Sequence, residues 1–147
     1  MNSSDLSVIT DDIIEIVKNI SFVSNVSMQS DRKLMVLETD FLDNRNDMID
    51  ISLCVKGNNI YLSDNWLVNS EFVLYFENET ILNNIHNQTK NFPINCYFDK
   101  DEFFGVNEKQ LVCMSEKDYL KKDLLYFIQS ILKHLNLIDG YLAVIGD

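Results

Sequence analysis

Between Ile49 and Lys56 apolar and polar residues alternate without a break: Ile49, Ile51, Leu53 and Val55 interleave with Asp50, Ser52, Cys54 and Lys56. A period of two sends successive side chains to opposite faces, so the stretch reads as a strand with one buried face that needs neighbours on both edges. Lys56-Gly57-Asn58-Asn59 supplies turn residues before Ile60-Tyr61-Leu62, which predicts an antiparallel hairpin and not a helical crossover. Upstream, Phe22 to Ser27 and Lys33 to Glu38 read as two strands joined across Gln29-Ser30-Asp31. Downstream, Ile94 to Asp99 and Gln110 to Met114 read as a late hairpin around Asp99-Lys100-Asp101-Glu102 and Gly105.

Helical spacing takes over at the two ends. Leu6, Ile9, Ile13, Val17 and Ile20 recur every three or four residues, which predicts a helix from Ser4, as N-cap, to Ile20. Leu120, Leu124, Phe127, Ile128, Ile131, Leu132 and Leu135 form a broad apolar stripe behind a capping pattern at Ser115-Glu116-Lys117-Asp118. That helix is long enough to cover a sheet, and its face could equally serve as a homodimer contact. Glu77 to Lys90 carries Ile81, Leu82 and Ile85 at helical spacing, Trp66 to Tyr75 fits either a strand or a helix, and Trp66 is expected in the core. The apolar tail from Gly140 to Gly146 is expected to pack back on the domain. The fold class that follows is α+β: one domain over residues 1–147, with an antiparallel sheet of about five or six strands against an amino-terminal and a long carboxy-terminal helix.

Charge narrows the function classes. Lys and Arg number 12 against 23 Asp and Glu, a net charge of −11 over 147 residues, which repels nucleic acid and anionic membrane and excludes direct binding to either. The excess is uneven: residues 1–55 carry −6, residues 56–109 carry −4 and residues 110–147 only −1. A hydrophobic fraction of 46% is enough for a core and excludes a mainly disordered chain. The three cysteines, Cys54, Cys96 and Cys113, have no metal-ligand spacing, and an odd number argues against a disulfide framework. Met1-Asn2-Ser3-Ser4-Asp5 lacks a basic, apolar leader and no run could span a bilayer, so a cytoplasmic location is expected.

Candidate chemistry gathers in one stretch. Glu38, Asp40, Asp43, Asp47 and Asp50 fall within thirteen residues, relieved only by Arg45. With Asp64 as an extra ligand, Asp43, Asp47 and Asp50 could hold Mg²⁺ or Mn²⁺ through oxygen ligands and serve a phosphoester hydrolase. The lysine such a nuclease-like core would want is offered only by Asp31-Arg32-Lys33, in a predicted turn. The competing account has Asp40, Asp43 and Asp47 capping a turn by bonding their own backbone while Arg45 pairs with one of them. As a third use, Asp40, Asp43, Asp47, Asp64 and Glu71 on a rigid surface would present spaced negative charge to a basic partner, which is nucleic-acid mimicry. Nucleophilic catalysis has little material: the only histidines are His86 and His134, the second expected to suit a helix end as a partly charged imidazole. The glycines are too scattered for a phosphate loop, so no nucleotide cofactor is expected.

The segment Phe41-Leu42-Asp43-Asn44-Arg45-Asn46-Asp47-Met48-Ile49-Asp50-Ile51, followed by Ile60-Tyr61-Leu62-Ser63-Asp64-Asn65-Trp66, resembles the bacterial and phage domain-of-unknown-function family 1828. That family shows a phenylalanine-leucine-aspartate run, an asparagine-aspartate pair entering a strand, and a leucine-serine/threonine-aspartate-aspartate-glycine turn. Here Asn65 and Trp66 replace the last two residues, removing a carboxylate and a glycine. The resemblance implies an intracellular α+β domain associated with bacterial and mobile-element genes, with no settled activity. Three readings follow. The protein is a non-enzymatic inhibitor of a host nucleic-acid-acting defence protein such as a CRISPR effector, with a basic or nucleic-acid-binding protein as partner and no cofactor. Alternatively it is a Mg²⁺- or Mn²⁺-dependent phosphoester hydrolase or its inactive relative, or an antitoxin-like neutraliser.

Overall fold

The computed structural model describes residues 6–100 and 109–145, which form one α+β unit. In chain order these are α1 (Asp11–Lys18), β1 (Val23–Gln29), β2 (Leu34–Leu42), β3 (Met48–Lys56), β4 (Asn59–Ser63), α2 (Leu67–Val73), α3 (Glu79–Asn87), β5 (Cys96–Lys100), β6 (Lys109–Ser115) and α4 (Leu120–Ile145), the last preceded by a 3-10 turn at Lys117–Tyr119. The six strands make one antiparallel sheet in the order β1-β2-β3-β4-β6-β5. The expected meander is therefore present, and the late hairpin joins it through β6 beside β4. Residues 101, 102 and 105 of that hairpin's connection lie outside the described residues.

One face of the sheet holds the core. Met35, Leu37, Ile51, Leu53, Ile60, Leu62, Leu111 and Cys113 meet Ile13, Val17, Phe72, Ile85 and the stripe Leu120, Leu124, Phe127, Ile128, Ile131 and Leu135. Fully burying one such aliphatic or aromatic side chain contributes about 1.5–3 kcal/mol, so the α4 stripe alone is a major part of the fold's stability. The stripe is spent inside the monomer, all of it at most 1% exposed, and that face of α4 is not available as a dimer contact. On the opposite face β3 is not the expected polar surface: Ser52 and Cys54 are buried, Cys54 under Leu6 and Tyr61.

Several boundaries differ from the sequence reading, each for a local reason. The first helix begins at Asp11, with Thr10 and not Ser4 at its start; Ser4 itself lies outside the described residues. Leu6 and Ile9 have helical spacing but are buried from an extended segment, because the Ser7 N–H bonds the Val55 carbonyl at 2.8 Å and the Ile9 N–H bonds the Arg32 carbonyl at 2.8 Å. Ser115 is no helix cap: it ends β6 and donates to the Asp123 carboxylate at 2.7 Å. The ambiguous stretch becomes α2, and the helix expected at Glu77 to Lys90 shortens to α3, where Asn78 Oδ1 accepts the Thr80 N–H at 2.9 Å. The tail from Gly140 does not fold back as a separate segment; it prolongs α4, with Tyr141 and Leu142 half-buried on the core and Val144 exposed. Trp66 is half-buried, in a left-handed conformation at φ 63° beside Asn65 at φ 54°. Those two positions are where the resemblance has aspartate and glycine, and the backbone there takes the shape that glycine adopts at least cost.

Candidate acidic site

The β2–β3 connection is closed by its first aspartate. Asp43 Oδ1 accepts the Arg45 N–H at 2.8 Å and the Asp47 N–H at 3.0 Å, while the Asp43 N–H bonds the Asp47 carbonyl at 2.8 Å. Asn46 sits at φ 63°, a conformation asparagine tolerates better than other non-glycine residues. The turn-capping account thus holds for Asp43 and not for Asp40 or Asp47, whose side chains are exposed. Arg45 pairs with none of the three. Its Nε bonds Glu71 Oε1 at 2.6 Å, fastening the turn to α2, where Glu71 is buried and also meets Asn44 Nδ2 at 3.4 Å.

Asp64 is the most deeply placed of the candidates, at 1% exposure. Its Oδ1 accepts the Leu111 N–H and its Oδ2 the Val68 N–H, both at 3.0 Å, so one carboxyl joins β4, β6 and α2. Burial pushes it up to about 7, against the lowering effect of the backbone donors at Val68, Leu111 and Trp66. Ser63 bonds Gln110 and Ser52 bonds Asn65 at 2.5 Å beside it. Asp64 and Glu71 are consequently parts of the interior and not of an accessible acidic surface, a correction to the surface expected from sequence. The set Asp43, Asp47, Asp50 and Asp64 is not drawn together: among the described residues no three His, Cys, Asp or Glu side chains are placed to share a metal ion.

What the sheet does bring together is Glu38 and Asp50, directly opposite in the β2–β3 register, with Asp40 two residues beyond Glu38 and the exposed Asp47 at the adjoining turn. Like charges facing one another across strands are destabilising. Asp50 is raised from its ordinary value, first by partial burial and then by the charge of Glu38, and among the described residues no cation pairs with either carboxylate.

A second polar centre was not visible in the sequence. His86 on α3 and His134 on α4 stack with ring centroids 5.3 Å apart, and Nδ1 of His86 lies 3.0 Å from Nε2 of His134. Nδ1 of His134 is 2.6 Å from the Ser130 carbonyl and must donate to it, so its Nε2 accepts and His86 Nδ1 donates. His134 is no helix-end cation, because α4 runs on to Ile145; it is fully buried and burial pushes it down to about 4. His86 is lowered as well, by burial first and the charge of Lys90 second. Forty-eight residues separate the two histidines, and each alone carries no sign of its partner.

No helix among the described residues is long and apolar enough to cross a membrane. No family model, no curated protein and no solved structure matches the chain, so the resemblance to family 1828 rests on its two short motifs alone.

Proposed function

We propose that the protein is a non-enzymatic binding module whose acidic β2–β3 end docks against a basic, nucleic-acid-handling protein and occupies the groove where nucleic acid would lie. The observation that supports this most is the uncompensated pair Glu38 and Asp50, extended by Asp40 and Asp47. Residues opposite one another across antiparallel strands have Cβ atoms about 4.5–5.5 Å apart, so Glu38 and Asp50 hold two negative charges side by side on a rigid support, with Asp40 in the irregular stretch of β2 just beyond. A fold gains nothing from that arrangement, whereas a cationic groove would. The remainder of the acidic stretch is consistent with a scaffold role, since Asp43, Asp64 and Glu71 are occupied in shaping the turn and anchoring α2.

The partner class follows from the sign of the charge, and a host defence protein that acts on nucleic acid is the expectation carried by the family resemblance. The test uses the full chain as immobilised bait in a nuclease-treated lysate of its own host, eluted by rising salt. A stoichiometric basic protein released by salt is the expected result, because exposed charge pairs are screened over about 8 Å at physiological ionic strength. The double reversal Glu38→Lys with Asp50→Lys should weaken that complex at least tenfold without loss of fold. A complex indifferent to both salt and reversal would end the mimicry reading, and a small toxic partner bound through another surface would replace it with the antitoxin reading.

A further inference from the structure

Cys96 on β5 and Cys113 on β6 stand directly opposite one another in the antiparallel register, on the other side of the sheet order from the acidic end. Side chains so paired share a face, with Cβ atoms about 4.5–5.5 Å apart. Both lie on the core side, Cys113 fully buried and Cys96 half-buried against the same cluster. Cα atoms about 4.4–6.8 Å apart are what a disulfide spans, and opposite residues of antiparallel strands fall within it. Cys54, the third cysteine, is buried on the opposite face with Leu6 and Tyr61. Cys96 also lines a cavity of about 230 Å³ whose wall carries His86, Lys90 and Asn95 and no carboxylate. In a protein of net charge −11 this is a route by which an anionic thiol reagent could approach.

We propose that Cys96 and Cys113 are a redox pair that closes to a cross-strand disulfide on reaction with a low-molecular-weight disulfide of the glutathione class. In the first step the Cys96 thiolate attacks one sulfur of the reagent; its S–S bond breaks and one glutathione thiolate leaves with the electron pair. In the second the Cys113 sulfur, giving its proton to solvent, attacks Cys96 in the mixed disulfide and expels the second glutathione. Two protein thiols are oxidised, one reagent disulfide is reduced to two thiols, and the protons balance. Cys96 is half-buried and lines the cavity whereas Cys113 is fully buried, so Cys96 meets the reagent first; the neighbouring Cys96 and burial hold the Cys113 thiol above its ordinary value.

The test incubates the reduced full chain with glutathione disulfide, quenches at low pH, blocks remaining thiols with an alkylating reagent in denaturant so that buried cysteines are reached, and reads intact mass and peptides. The expected product has lost two hydrogens, retains no glutathione, links the Cys96 and Cys113 peptides, and is alkylated only at Cys54. In Cys113→Ser the reaction should stop at a stable glutathione adduct on Cys96, which dithiothreitol removes. If that variant fails to fold, the wild-type peptide map still decides. A link to Cys54, a lasting glutathione adduct on the wild type, or a chain still fully alkylated at all three cysteines would each overturn the proposal.

Discussion

Asp64 and the His86–His134 pair are both buried polar centres, yet backbone N–H groups of α2 and β6 satisfy the first, while the second joins α3 to α4 by a side chain–side chain bond, with His134 also bonded to the Ser130 carbonyl of its own helix. The difference is one of where the partners come from. A carboxyl that accepts Val68 and Leu111 N–H groups fixes the junction of three elements at once, whatever side chains those residues carry. The histidines instead hold α3 to α4 through a single 3.0 Å bond that requires an unprotonated Nε2 on His134 facing a donor on His86. The first centre is a structural tie, and the second is conditional on proton occupancy.

The largest expected effect breaks the first centre. Asp64→Ala leaves two buried N–H groups without acceptors, each costing about 1–3 kcal/mol, so destabilisation of about 3 kcal/mol is expected in urea unfolding. Asp64→Asn should recover less than half of this, because its amide offers one acceptor and sets a donor against an N–H. A change within about 0.5 kcal/mol for Asp64→Ala would show that the junction is held by packing alone. Next in size is His134→Leu, which keeps the volume but leaves His86 Nδ1 without its partner, for a loss of about 1–2 kcal/mol; the Ser130 carbonyl keeps its backbone bond within α4. Half-exposed His86 can turn to water, which is why the second loss is the smaller.

Acidity separates the two centres by sign. Asp64 is raised from 3.8 to about 7, so the fold holds a proton that the unfolded chain has already released, and its contribution to stability is lost as pH rises from about 4 to 7. His134 is lowered from 6.5 to about 4, so the unfolded chain binds the proton first and stability is lost as pH falls through the same window. The two slopes oppose, and the wild type should be nearly flat between pH 4 and 6.5. Removing the imidazole in His134→Leu should expose the Asp64 slope, with stability falling steadily as pH rises; a parallel profile for variant and wild type would mean the histidine pair does not titrate in that window.

How far each centre was legible follows from the range of its contacts. Period-two alternation in β3 and the Gly57-Asn58 turn are local signals, and the hairpin they predict is present with Lys56 opposite Asn59. Asp64 reads from sequence as an extra metal ligand or a surface charge, and its buried setting is not legible there, because a turn aspartate at a helix start and a ligand on a strand end look alike until the Leu111 N–H, 47 residues away, is placed beside it. Leu6 and Ile9 misled for the opposite reason: their spacing suits a helix, and only the pairing of Ser7 with Val55 makes the segment extended. Arg45 and Glu71, 26 residues apart, likewise meet only in three dimensions. The Cys96 and Cys113 pairing was within reach, since the late hairpin was predicted and its register alone sets them opposite.

The smallest expected effect calibrates the comparison. Gly140 lies in α4 six residues beyond His134, and a Cβ added there meets nothing within 4 Å. Gly140→Ala therefore removes backbone freedom from the unfolded chain and adds no contact, which should stabilise by about 0.5–1 kcal/mol. Combined with His134→Leu it should add without coupling, because the sites share no partner. If instead the alanine stabilises the leucine variant by clearly more than it stabilises the wild type, the two sites are coupled through the backbone of α4, the cost of His134→Leu lies partly outside the broken bond to His86, and the contrast between a backbone-held and a side-chain-held centre would lose its basis.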